Sequence, residues 1–161
     1  MRQVILLRHA HAEPASAGQA DLDRPLSPVG LAEAEAAGRW LAEHGLLPDR
    51  VLCSPARRTR ETLEAVLAVT GYAEQRLEAA IYEATPGTLV GLLQDQCDVE
   101  RLLLVGHNPG LERLVALLDS GQTSDYRGMP PAGVAVLSLP EPPVQDPIEP
   151  GGGRLTAFWW P

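Results

Sequence analysis

The sequence predicts an α/β fold in which a mainly parallel sheet is covered by helices on both faces, in three layers. Short apolar runs of strand length alternate along the chain with longer segments of helical pattern, the order typical of parallel α/β domains. The strongest runs lack the polar alternation of a half-exposed strand. The chain has 161 residues, of which 45% are apolar, and this predicts a single domain over residues 1–161 with a sizeable core.

The predicted strands are short apolar runs bounded by turn-forming residues. The run Val4–Leu7 is typical of a strand buried on both faces, and Arg101–Val105 has the clearest pattern of a central strand. The weakest pattern belongs to Gln75–Ile81. In chain order, the predicted strands are Val4–Leu7, Arg50–Cys53, Gln75–Ile81, Arg101–Val105, Gly133–Leu139 and Leu155–Trp160.

The predicted helices between these strands rest on capping signals. A serine N-cap before a proline favours a helix start, as at Ser54 and Pro55, and Asn108 before Pro109 gives a similar signal. Residues 12–25 and 140–153 are expected to be loops, the second because it is rich in proline and glycine. The predicted helices cover about residues 28–44, 55–70, 86–95 and 109–118.

Composition and charge argue against several classes of function. The net charge of −8 disfavours general binding to nucleic acid or to an anionic membrane. All 13 basic residues are arginine, and the absence of lysine excludes mechanisms that need a Schiff base or a P-loop lysine. No apolar run approaches the length of a membrane span, and the first strand starts almost at once. We therefore expect a cytoplasmic protein in which Cys53 and Cys97 are buried, reduced thiols.

Three predicted strands are each followed by side chains that can bind phosphate. Arg8 and His9 follow the first strand, Arg57 and Arg58 lie just beyond the second, and His107 follows the fourth. Ligands of α/β proteins bind at the carboxyl ends of the strands. If these ends are neighbours, histidines and arginines converge as a site for a dianionic phosphoryl group beside a nucleophile. A histidine nucleophile must be neutral, and nearby arginine disfavours the imidazolium.

Arg57 and Arg58 fall in the first turn of the predicted second helix, where cations oppose the helix dipole. Each such cation costs about 0.3–1 kcal/mol. A bound anion removes this cost, because helix N-termini and arginine forks both favour phosphate. The position therefore predicts an anion site. It also predicts that Arg58→Lys leaves the stability of the unliganded protein unchanged or slightly higher.

Three motifs together resemble the histidine phosphatase superfamily, which has a phosphoglycerate mutase-like fold. They are Leu-Arg-His-Ala at residues 7–10, Ser-Pro-Ala-Arg-Arg at residues 54–58 and Gly-His-Asn-Pro at residues 106–109. The short chain without a large helical insertion is similar to the small branch of SixA-like phosphohistidine phosphatases. The resemblance spans nearly the whole chain. Ala10, where much of the superfamily has glycine, is a minor departure.

The resemblance implies roles for individual residues. His9 would accept the phosphoryl group, Arg8 and Arg58 would hold its oxygens, and His107 would complete the pocket and stabilise the transferring group. Of the two adjacent arginines, Arg58 occupies the family's position, four residues after the motif serine. Asn108 is a further candidate for substrate binding. The resemblance implies no metal and no other cofactor.

The general acid is left open between two glutamates. Glu83, between the third strand and Pro86, is the better candidate, and Glu13, just after the nucleophile loop, is the second. An ester leaving group needs a proton, whereas the imidazole of a phosphohistidine departs more readily. A site without a well-placed acid would therefore prefer phosphohistidine.

Other histidine, cysteine and glycine patterns argue less strongly for function. His11 forms a His-x-His pair with His9, but metal-dependent amidohydrolases with such a pair need a barrel of about 250 residues, so we expect His11 to face solvent. Cys53 lacks the spacing of the cysteine phosphatases, because Thr59 and not an arginine lies six residues later. The glycines at 151–153 neither follow a strand nor open a helix, which argues against a nucleotide loop.

Together, the residues and the resemblance predict a metal-independent phosphatase that hydrolyses protein phosphohistidine by ping-pong transfer through phospho-His9. A small-molecule phosphomonoesterase with the same site is the first alternative. A non-catalytic module that binds phosphate or a phosphoprotein is the second, and the presence of His9 with His107 argues against it, because binding alone would need only the arginines. The expected partner is a phosphorylated protein or a small phosphoester, with no nucleic acid and no membrane, and we expect a monomer.

Overall fold

The computed structural model describes residues 1–124, 128–140 and 147–161, which form one α/β structure on a six-stranded sheet. In chain order the strands are β1 (Gln3–Arg8), β2 (Arg50–Cys53), β3 (Glu74–Leu77), β4 (Arg101–Gly106), β5 (Val134–Ser138) and β6 (Arg154–Trp159). The helices are α1 (Pro28–Glu43), α2 (Arg57–Thr70), α3 (Pro86–Gln94) and α4 (Gly110–Ser120), with one-turn 3-10 helices at Asp21–Asp23 and Ala79–Ile81. Every predicted strand and helix has a counterpart.

The order of the strands across the sheet places the candidate residues side by side. The order is β3-β2-β4-β1-β5-β6. The first four of these strands pair in parallel, whereas β5 and β6 pair antiparallel, so the predicted mainly parallel sheet is confirmed. Because β2, β4 and β1 are adjacent, their carboxyl ends meet at one edge, with Arg8 opposite Gly106 and Cys53 opposite Val105.

Side chains that alternate along the strands form a hydrophobic core on each face of the sheet. In β1, Val4 and Leu6 pack in the cluster that contains α3 and α4, while Ile5 and Leu7 pack in the cluster that contains α1 and α2. All four side chains are fully buried. Burial on both faces explains why this strand is a continuous apolar run, and it confirms the three-layer arrangement.

The third strand is shorter than the sequence predicts. The expected strand Gln75–Ile81 ends at Leu77, and the chain then forms the 3-10 turn Ala79–Ile81. β3 is an edge strand that pairs with the four-residue β2, up to Leu77 opposite Cys53. The ladder therefore ends where β2 ends, and the turn that follows buries Ile81 in the core.

The second helix begins later than its capping signal predicts, so the expected role of Ser54 as its N-cap is wrong. α2 starts at Arg57, and Ala56 occupies the capping position. Ser54 Oγ accepts a bond from the Ala56 N–H at 3.3 Å and contacts the ring of His107 at 2.8 Å. The serine hydroxyl thus links the end of β2 to the histidine that follows β4, and it does not cap the first turn of α2. The expected first-turn position of Arg57 and Arg58 is confirmed.

The fourth helix begins at Gly110, one residue later than predicted, and Pro109 occupies the capping position. Asn108 still serves the helix start, because its Oδ1 accepts a bond from the Glu112 N–H at 3.3 Å. A glycine is needed at 110, since a Cβ there would lie 2.7 Å from the carbonyl oxygen of Ala84. The start of α4 therefore lies close against the turn that carries Glu83.

The start of α1 is held against the segment that follows β1. Ser27 caps the helix by accepting a bond from the Gly30 N–H at 3.0 Å. A Cβ on Gly30 would overlap the carbonyl oxygen of His11. The backbone beyond His9 can therefore pass directly over α1 only because residue 30 is glycine.

The predicted loop 140–153 is described in part. Residues 140 and 147–153 have no helix or strand, as expected, and residues 141–146 lie outside the described residues. In the ranges that the structure describes, no helix combines the length and the apolar character needed to cross a membrane.

Candidate active site

His9 lies directly beyond β1, with its backbone and its ring both held by hydrogen bonds. The His9 N–H donates to the Gly106 carbonyl at 3.1 Å, and the His9 carbonyl accepts from the Ala132 N–H at 3.1 Å. The ring Nδ1 is 2.7 Å from the carbonyl oxygen of Ala10. A carbonyl oxygen can only accept, so Nδ1 carries the proton and Nε2 keeps a free lone pair.

The His9 ring is neutral near neutral pH. Burial, with a further contribution from Arg58 and Arg8, lowers the pKa of His9 to about 4, while the bond to Ala10 acts in the opposite direction. The sequence predicts the contribution of the arginines, and the structure adds burial as the larger cause. A neutral imidazole with a free Nε2 is chemically able to act as a nucleophile.

His107 lies beyond β4 and next to His9. The two ring centroids are 5.3 Å apart, with the ring planes inclined by 56°. Burial, followed by the proximity of His9 and Arg58, lowers the pKa of His107 to about 3. The structure thus brings together, in neutral form, the two histidines that the sequence places at separate strand ends.

Three buried side-chain nitrogens of the candidate site have no hydrogen-bond partner in the described part of the chain. They are Arg8 Nε, Arg58 Nε and His107 Nδ1. Leaving a buried donor unsatisfied costs about 1–3 kcal/mol, and such groups are rare in folded proteins. A phosphoryl group presents several acceptor oxygens, so a bound oxyanion of this kind would satisfy the two arginine nitrogens, and also His107 Nδ1 if that nitrogen carries a proton.

The terminal nitrogens of Arg58 are held by Asp21, a residue that the sequence analysis missed. Nη1 donates to the Asp21 carbonyl oxygen at 2.8 Å, and Nη2 donates to the Asp21 carboxylate at 3.0 Å. The Tyr82 hydroxyl and Arg24 donate to the same carboxylate. Bonds from Tyr82, Arg24 and Arg58 hold the pKa of Asp21 well below its usual range. Asp21 is 37 residues from Arg58 in the chain, and no local pattern marks it.

This contact overturns the expectation about stability at Arg58. The sequence predicts that lysine at this position leaves the unliganded protein as stable or slightly more stable, because a cation there opposes the helix dipole. In the structure, Asp21 already supplies an anion to Arg58, whose side chain is only 7% exposed. Lysine cannot reproduce a two-point bond to a carbonyl and a carboxylate, so the substitution should destabilise the unliganded protein.

An open cavity of about 430 Å³ borders Arg58 and His107. Its volume lies within the usual range of small-molecule sites. Tyr82, Glu83 and Arg113 also line it. No sequence pattern marks Tyr82 or Arg113, because a tyrosine in a turn and an arginine on a helix are ordinary surface residues until tertiary structure places them at a cavity.

Of the two candidate acids, Glu83 lines this cavity and Glu13 does not. Glu83 is exposed and has a left-handed backbone, with φ of 56°. Such a conformation costs a residue other than glycine about 1–3 kcal/mol and is found preferentially at functional sites. Glu13 lies in the segment between β1 and α1, where its backbone carbonyl accepts a bond from Arg24 Nε at 2.9 Å.

Asn108 lines the cavity, but its amide is occupied by bonds within the protein. Its Nδ2 donates to the Met129 carbonyl at 2.9 Å, and its Oδ1 accepts from the Glu112 N–H. Arg8 Nη1 donates to the same Met129 carbonyl at 2.8 Å. Asn108 and Arg8 are therefore tied to one segment, which favours a supporting role for Asn108 over substrate contact.

The remaining candidates lie outside this arrangement. His11 is exposed, and its Nδ1 lies 2.7 Å from Ser27 Oγ. Cys53 is buried, and burial raises its pKa to about 12, so the thiol stays protonated. The predicted burial of Cys97 is wrong, because this residue lies in the exposed turn between α3 and β4. Over the described ranges, no group of three or more His, Cys, Asp or Glu residues could hold a metal ion.

Comparison with known sequences identifies the family. Residues 4–133 match the model of the histidine phosphatase superfamily (branch 1). An uncharacterized protein of Mycobacterium tuberculosis is 37% identical over 164 residues, which cover 96% of this chain and 99% of that protein. Phosphohistidine phosphatase SixA of Escherichia coli is 33% identical over 130 residues, which cover 75% of this chain and 76% of that protein.

Solved structures share the fold. A structure from Agrobacterium tumefaciens, described as a candidate phosphohistidine phosphatase SixA, has a TM-score of 0.85 at 32% identity and covers 99% of this chain and 98% of that chain. The protein histidine phosphatase SixA in complex with tungstate has a TM-score of 0.83 at 26% identity, with 98% and 96% coverage. Family and fold together support phosphatase activity. The chain therefore belongs to the histidine phosphatase superfamily, in its SixA-like branch.

Proposed function

We propose that this protein hydrolyses phosphohistidine on proteins through a covalent phospho-His9 intermediate and without a metal. The observation that carries the proposal is the protonation state of His9. Its ring is neutral, its Nδ1–H donates to the Ala10 carbonyl, and its Nε2 keeps a free lone pair. Arg8 and Arg58 provide fixed positive charge beside it. A neutral nucleophile next to preorganised cations suits attack on a dianionic phosphoryl group.

In the first step, His9 Nε2 attacks the phosphorus atom of the substrate. A new P–N bond forms while the P–N bond to the substrate imidazole breaks, and the electron pair of that bond returns to the leaving nitrogen. A substrate imidazole that is protonated on its other nitrogen leaves as a neutral ring and needs no acid. Arg8 and Arg58 hold the non-bridging oxygens during the transfer.

In the second step, water attacks phospho-His9 and releases inorganic phosphate. The Nδ1 proton, held by the Ala10 carbonyl, keeps the phosphorylated ring cationic, so His9 departs from phosphorus as a neutral imidazole. Both protons of the water end on the phosphate, as dihydrogen phosphate, and the enzyme returns to its starting state. The same bond that exposes Nε2 for attack thus also makes His9 a good leaving group.

Two features of the cavity and the name of one relative support phosphohistidine as the substrate. The cavity beside His107 is open to solvent, and Glu83, its candidate acid, is exposed. An open site can accept a side chain presented on the surface of another protein, and an imidazole leaving group asks little of an acid. The Escherichia coli relative that is 33% identical is named as a phosphohistidine phosphatase.

One observation favours a second candidate, a phosphomonoesterase that acts on small molecules. Glu83 lies in a cavity of small-molecule size and has the strained backbone described above. A carboxylic acid beside the transferring group is what an alkoxide leaving group needs. The two candidates share His9 as nucleophile and differ in how much they depend on Glu83.

The test is a comparison of kcat/KM on a phosphohistidine peptide, a sugar phosphate and phosphoglycerate. We expect the phosphohistidine peptide to be hydrolysed with the highest kcat/KM. A clear preference for one of the small phosphoesters would reject the phosphohistidine proposal and would leave the His9 mechanism standing.

Glu83→Gln sharpens this comparison. We expect it to reduce hydrolysis of phosphoesters by about 10²–10⁴-fold, the usual contribution of a general acid, and to affect phosphohistidine far less. Glu13→Gln is the matched control, because Glu13 does not line the cavity, and it should change neither activity. Equal losses on both substrates in Glu83→Gln would assign Glu83 a role other than that of acid.

A further inference from the structure

We propose that Ser54 is a positioning residue that fixes the proton of His107 on Nδ1. The location of this proton follows from the hydrogen bonds around Ser54. The inference rests on the proposed function in one respect, which is that Nδ1–H is used to bind the phosphoryl group.

Ser54 is held rigidly at the end of β2. It is fully buried. Its N–H donates to the Val105 carbonyl at 3.1 Å. Full burial leaves the side chain few other partners, and its hydroxyl lies between the backbone N–H of Ala56 and the ring of His107.

The hydroxyl of Ser54 has one proton, and its neighbours decide where that proton goes. The N–H of Ala56, at 3.3 Å, can only donate, so toward Ala56 the oxygen accepts. The other neighbour is His107 Nε2 at 2.8 Å. In the described part of the chain, Nε2 is the one acceptor placed to receive the Ser54 proton, so Nε2 carries none.

The reverse arrangement is worse for both side chains. If Nε2 carried the proton and donated to Ser54, the serine proton would be a buried donor without an acceptor, and His107 Nδ1 would be a buried acceptor without a donor. Two unsatisfied buried groups would replace one. With the proton on Nδ1, the single unsatisfied group is an N–H, which a phosphoryl oxygen can accept.

The two site histidines then share one tautomer and have opposite functions. His9 bonds through Nδ1–H to Ala10, and its unprotonated Nε2 is free. His107 is held at Nε2 by Ser54, and its protonated Nδ1 is free. One ring thus offers a lone pair to phosphorus and the other offers a proton to a phosphoryl oxygen. An unprotonated Nδ1 on His107 would instead direct a lone pair at an anion.

The experiment reads the tautomer directly in the unliganded protein, by ¹⁵N NMR of labelled histidine. In the wild type we expect neutral His107 with the proton on Nδ1. In Ser54→Ala we expect the proton to move wholly or partly to Nε2, and kcat to fall by about 10- to 100-fold, the cost of losing one buried donor to the phosphoryl group. Ser54→Thr keeps the hydroxyl and should keep the proton on Nδ1.

Thr59→Val is the matched control. Thr59 lies in the first turn of α2 and is fully buried, and its hydroxyl donates to the carbonyls of Ser54 and Ala56. In the described part of the chain it has no hydrogen bond to His107. It should lower stability as Ser54→Ala does and leave the tautomer of His107 unchanged. A tautomer that moves equally in Thr59→Val would show that packing, and not the serine hydroxyl, sets it.

A wild-type protein in which His107 carries its proton on Nε2 would overturn the inference. This measurement does not depend on whether any variant folds. An unchanged tautomer in Ser54→Ala would overturn it as well. Either result in an active phosphatase leaves the proposed function intact. Conversely, the expected tautomers in a protein that hydrolyses no phosphohistidine would reject the proposed function and keep the assignment of the proton.

Discussion

The two buried histidines predict that the folded protein loses stability as the pH falls from about 6.5 toward 4. Folding lowers the pKa of His9 from 6.5 to about 4 and that of His107 from 6.5 to about 3. Between these values the unfolded chain binds protons that the folded chain does not, so acid favours unfolding. The contribution of each neutral histidine to the free energy of unfolding is fully present above about pH 6.5. It is lost as the pH falls toward the pKa of that histidine in the folded protein.

The size of the effect follows from these pKa values. Between about pH 7.5 and about pH 4.5, a histidine whose pKa is lowered in this way withdraws about 2–3 kcal/mol of stability. Urea unfolding of the wild type, His9→Gln and His107→Gln at both pH values measures it, because glutamine does not titrate and the carboxylates are common to all three proteins. Each variant should lose about 2–3 kcal/mol less than the wild type over this interval. Thr59→Val should lose as much as the wild type. Equal losses in all four proteins would refute the argument that these rings are buried in neutral form.

Two further predictions concern substitutions at Arg58, in the site, and at Gly30, in the first turn of α1. Arg58→Lys should reduce kcat/KM by at least about 10-fold, because a single ammonium group cannot bond to Asp21 and also supply the donor that Arg58 Nε presents to a phosphoryl oxygen. It should also lower the midpoint of thermal unfolding through loss of the bonds to Asp21. Full activity would reject Arg58 as a phosphoryl ligand. Gly30→Ala should destabilise the protein by about 1–3 kcal/mol, because its Cβ would meet the His11 carbonyl. Gly91→Ala, a helix position with open space, should be neutral or up to about 1 kcal/mol more stable in the same urea titration, and a similar loss in both would contradict the contact.

The fold could be predicted where burial imposes a pattern on the sequence. β1 and β4 are buried on both faces, so their residues form continuous apolar runs that cannot be mistaken for loops. β3 is an edge strand with an exposed pattern, and its end is set by the length of β2. The exposure of Cys97 likewise depends on where the turn before β4 lies, which an adjoining apolar run does not reveal.

The site could be predicted as far as strand ends determine it. Arg8, His9 and His107 follow β1 and β4 directly, so a parallel sheet brings them together whatever the loops do. The contact between Asp21 and Arg58 joins a loop to a helix and leaves no periodic signal. The capping signal at Ser54 gives no sign of its bond to His107, because this signal is the same whether the hydroxyl serves the helix or a histidine across the sheet.

The most direct test of the account is whether His9 carries the phosphoryl group. Brief incubation with a labelled phosphoryl donor, followed by quenching and peptide mapping, should give an acid-labile and base-stable adduct on the peptide that contains His9. The adduct should be absent in His9→Ala and retained in Cys53→Ser, whose thiol is buried and protonated in the wild type. Label that persists in His9→Ala, or that disappears only in Cys53→Ser, would contradict the account.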